Sequence, residues 1–143
     1  MTHLQQEIQN PRRRRSQEIR GHTERAIRDF FLEQDFMEVR TPLLSPSPGM
    51  EIHIRPFEVR SYAAPATRVG FLPTSPEFAM KRLLVGGLER IFQICPAFRD
   101  EPVSSTHLPE FTLLEWYRAN AGYLEIMDDV ELLLTSVARK VTG

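Results

Sequence analysis

The feature that most constrains this chain is a pair of strand-like runs, residues 89–98 and 110–117, joined by a polar loop over 100–109. A connection this short suits an antiparallel hairpin, because parallel neighbours need a crossover of a dozen or more residues. Strand side chains alternate faces with a period of two, so Ala97, Arg99 and Glu101 share one face of the first strand. On the return, Phe111, Leu113, Glu115 and Tyr117 share one face, while Thr112, Leu114 and Trp116 take the other.

Helical signals stand on either side of the hairpin. Asn10-Pro11 reads as a helix start, with Asn10 as N-cap and Pro11 in the first turn. Ile19, Ala26, Ile27, Phe30 and Phe31 then form an apolar stripe as far as about residue 34. Residues 36–40 read as a short strand halted by Thr41-Pro42, and Ile52, Ile54, Phe57 and Val59 as another with Pro56 at an edge or bulge. A second helix is expected between Ser75-Pro76 and Gly86-Gly87, and a last one over 123–139 with Ile126, Val130, Leu133, Leu134 and Val137 on one face. The prolines cluster over 42–56 and 65–76, which read as irregular connections. Helices around a hairpin-built sheet make the fold class α+β, an antiparallel sheet flanked by helices. Phe30, Phe31, Phe36, Trp116, Ile126 and Val130 are the expected core.

Composition narrows the setting. A length of 143 residues fits one domain with a single core, and 41% hydrophobic with 26% charged residues is a globular balance. A net charge of -1 argues against a general nucleic-acid coat. No apolar run nears the roughly 20 residues of a membrane span, and residues 1–6 lack a signal's apolar core, so a cytoplasmic address without a membrane is expected. Cys95 is the lone cysteine and reads as a small packing residue. His3 and His22 have no partner at metal spacing, and His53 reads as structural or exposed, so no metal site is expected within the chain. The run Arg12 to Arg15 fits either an RNA-backbone contact or a solvated first helical turn.

If both odd-numbered strand faces line one cavity, it holds a guanidinium, two carboxylates, an aromatic plane and a phenol. That set suits an ATP-like ligand beside a cationic substrate: Arg99 for a phosphate, Phe111 for a flat base, Glu115 with Tyr117 for an ammonium. Alternation by itself equally describes an amphipathic hairpin in which Arg99 and Glu101 form a surface ion pair.

The wider sequence resembles a known family. Phe98-Arg99-Asp100-Glu101, then His107, then Pro109-Glu110-Phe111 is similar to motif 2 of class II aminoacyl-tRNA synthetases, most closely the lysyl type. Thr74-Ser75-Pro76-Glu77 with the segment from Lys81 to Gly87 resembles that branch's substrate-binding segment. Residues 30–42 resemble its motif 1, within about 19–42, and motif 2 falls at about 98–117. The resemblance implies that Arg99 is the catalytic residue and contacts the ATP α-phosphate. It places Glu101 and His107 on the nucleotide and Phe111 under adenine. Glu77 would bind the substrate α-amino group, and Glu115 and Tyr117 its side-chain ammonium. ATP and Mg2+ are the implied cofactors, lysine or β-lysine the implied substrate, and a homodimer through motif 1 the implied assembly.

Pro76-Glu77-Phe78-Ala79-Met80-Lys81, Ile52-His53-Ile54-Arg55-Pro56-Phe57 and Leu114-Glu115-Trp116-Tyr117-Arg118 look most like the lysyl-synthetase-like ligases that attach (R)-β-lysine to elongation factor P. Ligation to elongation factor P is therefore the first expectation. Lysine–tRNA ligation is the alternative, and a non-catalytic ligand-binding or dimerisation module a further one. Nothing after Trp116 resembles the family's glycine-rich third motif with its arginine and nearby magnesium-binding acids. The expectation is thus one truncated catalytic domain over 1–143, inactive alone, whose magnesium ligands lie elsewhere.

Overall fold

The computed structural model describes residues 10–49, 51–62 and 68–142, which fall into two compact units. The first holds residues up to 36 and from 120 onward; the second holds 37–119.

In the first unit, helix α1 runs Pro11–Glu33 and begins where the Asn10-Pro11 pair predicts. The Asn10 side chain accepts the Arg12 N–H at 3.0 Å, and Pro11 sits where a missing N–H costs nothing. The helix stops on a left-handed residue, Asp35, with φ 59°. The Phe36 N–H then returns to the Phe31 carbonyl at 2.9 Å and the Asp35 N–H to Leu32 at 3.1 Å. This is a Schellman stop, completed by apolar contact across it. The rings of Phe31 and Phe36 meet edge to face at 5.1 Å, and Phe30 meets Phe31 likewise at 5.2 Å.

Helix α3, Tyr123–Thr142, packs along α1 and is tied to it by Lys140, whose Nζ lies 3.3 Å from Asp29 and 3.5 Å from Glu33. Its expected apolar stripe needs correction. Leu133 is buried and Ile126 and Val137 are half-buried, but Val130 and Leu134 are exposed and Asp129 is buried instead. Positions 126, 129, 133 and 137 follow one helical face; Val130 and Leu134 each stand one residue, about 100°, further round.

In the second unit, the main sheet has the order β1-β4-β5. The hairpin is β4, Arg90–Phe98, antiparallel to β5, Glu110–Arg118. Beside it β1, only Met37–Glu38, pairs parallel to β4. The α+β class holds, with antiparallel pairing at its centre and one parallel edge. Helix α2, Glu77–Val85, packs on β4 and β5, where Met80, Val39 and Ile91 form a buried cluster lined by Leu83, Leu84, Leu88 and Tyr117. Gly86 caps α2, and Gly87 at φ 98° takes the backbone turn that a side chain would strain.

A second sheet pairs β2, Glu58–Ser61, with β3, Arg68–Phe71. The strand expected from Ile52 onward starts only at Glu58, because Pro56 has no N–H to donate and residues 52–53 lie in a turn, with Ile52 93% exposed. Strand β3 was hidden in the proline-rich stretch read as irregular. Phe71 bridges in turn to Ser45, and Gly70 lies so near residue 44 that a Cβ would come within 2.7 Å of Leu44 Cδ1.

Candidate functional site

The hairpin register decides which candidate residues can meet. Ile91 stands opposite Tyr117, Gln93 opposite Glu115, Cys95 opposite Leu113 and Ala97 opposite Phe111. Opposed residues share a face, so the two odd-numbered sets do form one surface. Past the strand end, the Arg99 N–H donates to the Pro109 carbonyl at 2.9 Å and extends the ladder by one step.

Arg99 and Phe111 meet at one end of this face. The guanidinium carbon lies 5.1 Å from the Phe111 ring centroid, a cation–π contact, and Nε points to the Thr74 carbonyl at 3.4 Å. The terminal nitrogens of Arg99 have no partner among the described residues, which leaves them available to an anion. No ion pair joins Arg99 to Glu101 among those residues, so the plain amphipathic-hairpin reading does not describe this pair.

Further along, the carboxylate of Glu115 is held from two sides. Tyr117 donates its phenolic hydrogen to Oε1, and Ser75 Oγ donates to Oε2 at 2.9 Å. Ser75 Oγ also accepts the Glu77 N–H at 3.0 Å, so it caps α2 in fact, while Pro76 occupies the N-cap position. Burial, then the bond to Glu115, drives the Tyr117 phenol far above its ordinary pKa. Burial, and next the Glu115 charge, raise the Cys95 thiol; a hydrogen bond from Gln93 opposes them.

Glu77 begins α2 and pairs with Lys81 one turn on, at 2.6 Å. Glu101 and His107 lie beyond the paired strands, in the connection between β4 and β5. Glu101 follows a tight turn, its N–H on the Arg99 carbonyl at 2.9 Å, so strand alternation no longer assigns its side. His107 is exposed in the loop, its ring Nδ1 at 3.1 Å from Ser104 Oγ and 3.0 Å from Thr106 Oγ1. His22 and His53 are exposed as well, and His3 lies outside the described residues.

Three polar residues join the site that alternation did not single out. Gln93 is 3% exposed and faces Glu115; only the register, not the sequence, puts it there. Thr74 is buried beside Ser75. Glu51 lines a cavity of about 280 Å³ between residues 41–51 and 72–82, together with Thr74, Ser75 and Glu77.

The hairpin thus presents on one face a guanidinium over an aromatic ring at one end and, further along, a part-buried carboxylate held by a phenol and a hydroxyl. The family model for class II tRNA synthetases (D, K and N) matches residues 2–143, and the chain belongs to that family. It is 43% identical over 136 residues to a lysine–tRNA ligase of Chromohalobacter salexigens, which covers 95% of this chain and 26% of that protein. Lysine–tRNA ligases of Psychromonas ingrahamii, at 41%, and Haemophilus influenzae, at 42%, match with the same coverage. The chain spans about a quarter of the length of these relatives.

Proposed function

We propose that this chain carries the amino-acid- and nucleotide-binding hairpin of a lysine-activating ligase. The observation that carries the reading is the Arg99–Phe111 contact on the same strand face as the Ser75–Glu115–Tyr117 hydrogen bonds. In this reading Phe111 supports the adenine ring and the free guanidinium nitrogens of Arg99 hold the α-phosphate. The substrate carboxylate attacks that phosphorus, its P–O bond to pyrophosphate breaks, and the charge gathered on the phosphoryl oxygens is neutralised by Arg99. Glu115 takes the side-chain ammonium, with Tyr117 and Ser75 keeping both carboxylate oxygens oriented. Glu77 faces the amino group, and Glu101 and His107 approach the nucleotide from the loop.

Class II tRNA synthetases use Mg2+ with ATP. Among the described residues no three His, Cys, Asp or Glu side chains gather as a metal site.

The relatives' names favour tRNA as the acceptor of the activated lysine. Elongation factor P, taking lysine or β-lysine, is the second reading, and rests on the blocks around Ile52, Glu77 and Glu115. We also read residues 30–42 as a dimer contact, since β1 is an edge strand and Met37 on it is 55% exposed.

ATP titration of the chain tests the nucleotide half: Arg99→Ala should weaken binding about tenfold or more, a loss on the scale of one charge-assisted contact. Equal affinity for wild type, Arg99→Ala and Phe111→Ala would remove the reading. Transfer of labelled lysine to tRNA or to elongation factor P separates the acceptors.

A further inference from the structure

The run Arg12 to Arg15 has no part in the hairpin site. It occupies the first turn of α1, and residues 10–22 are exposed throughout, so no described element buries this end of the helix. Residues 11–20 hold five arginines and one glutamate in a chain of net charge -1, so positive charge is gathered here while the remainder is acidic. Folding alone does not favour that arrangement. Cations in the first turn oppose the helix dipole, and no acidic residue stands there to offset them. Arg14 pairs with Glu18 at 3.1 Å, but side chains 80% and 55% exposed make that pair weak. Arg12 and Arg15 have no acidic partner among the described residues.

Geometry limits what can meet this charge. The Arg12 N–H is taken by Asn10 Oδ1 at 3.0 Å and the Arg14 N–H by the Asn10 carbonyl at 3.1 Å, so the side chains rather than the helix end present it. Successive helical residues stand about 100° apart, so four arginines in a row ring the axis instead of lining one face. A ring is best met by anions on more than one side, as across a groove between two phosphate backbones. A lipid surface offers anions on one side and calls for an apolar helix face, yet Ile19 is the one large apolar residue over 11–22. The planar guanidinium fork also matches phosphate oxygens in pairs. We infer that Arg12 to Arg15 form an RNA-backbone-binding surface that takes a double-stranded stem through its phosphates, without reading bases. This rests on the reading of tRNA as acceptor and adds to it a contact outside the hairpin.

Fluorescence anisotropy of a labelled lysine tRNA transcript, titrated with the chain over a series of salt concentrations, tests the inference. Replacing Arg12, Arg13, Arg14 and Arg15 together by Gln, a residue that keeps helix propensity, should weaken binding about tenfold or more near 0.1 M salt. The slope of log affinity against log salt should flatten by about two to three, since each phosphate contact contributes about 0.7–0.9. A short RNA stem should bind more tightly than an unpaired strand of the same length. An unchanged affinity and slope in the variant overturns the inference, as does absence of tRNA binding by wild type. Polyglutamate binding as tightly as tRNA overturns RNA as the occupant, and an unpaired strand binding as tightly as the stem overturns the groove. The ATP titration judges the hairpin reading and labelled-lysine transfer the acceptor, so each can fail without the other. Circular dichroism checks the fold of the variant; should it lose helix, Arg12→Gln with Arg15→Gln serves, expected to flatten the slope by about one to two, and an unchanged slope overturns the inference.

Discussion

Ser75 and Glu115, 40 positions apart in the chain, are joined by a hydrogen bond of 2.9 Å from Ser75 Oγ to Oε2. The same oxygen atom of Ser75 accepts the first free N–H of α2 at 3.0 Å. One hydroxyl thus seats the helix start and orients the carboxylate read as the ammonium site. Ser75→Ala should cost about 1–2 kcal/mol, the range of a lost cap and of a part-buried hydrogen bond. Urea unfolding measures it. Combined with Glu115→Gln, the loss should be smaller than the two single losses added, because both variants break the same bond.

The Tyr117 phenol gives a pH signature. Its folded pKa lies above the unfolded value of about 10, so its contribution is complete below that pH and is lost as pH climbs towards the folded pKa. Stability should therefore decline in alkali above about pH 10 with a component that Tyr117→Phe removes. Absorbance at the phenolate band should show one of the three tyrosines ionising only as the chain unfolds.

Cys95 should be slow to modify. It is 6% exposed, and burial together with the Glu115 charge holds it in the thiol form, the unreactive one. A disulfide reagent at neutral pH should titrate it promptly in denaturant and about tenfold or more slowly in the native state. Prompt native labelling would mean that the face between Gln93 and Glu115 opens readily.

Much of this arrangement could be read from the residues. Period two put Phe111, Glu115 and Tyr117 on one face, and Asn10-Pro11 and Gly86-Gly87 marked helix ends, because those signals are local. The neighbours of Glu115 were not legible in the same way. Gln93 meets it through a register set by the loop between the strands, and Ser75 meets it because α2 packs over the hairpin. Glu51 lies in a segment whose prolines break every periodicity, so only folded coordinates place its carboxylate on a cavity wall. Asp129 shows the opposite failure: an acidic residue reads as exposed, yet helix geometry turns it inward between Ile126 and Leu133.

The heaviest dependence in the first unit falls on Phe31. It is fully buried, carries edge-to-face contacts to Phe30 and Phe36, and supplies the carbonyl that closes the α1 stop through the Phe36 N–H. Phe31→Ala leaves that backbone bond possible but removes the apolar contact that accompanies it, and opens a cavity between its neighbours. The expected cost is about 3–5 kcal/mol, a large part of the 5–15 kcal/mol that holds an ordinary domain together. Phe36→Leu keeps an apolar side chain across the stop and should cost less than half as much. Hydrogen exchange separates this from a general loosening. Amides at the end of α1 should lose the most protection, because Asp35 at φ 59° is held in a left-handed conformation that its neighbours must sustain.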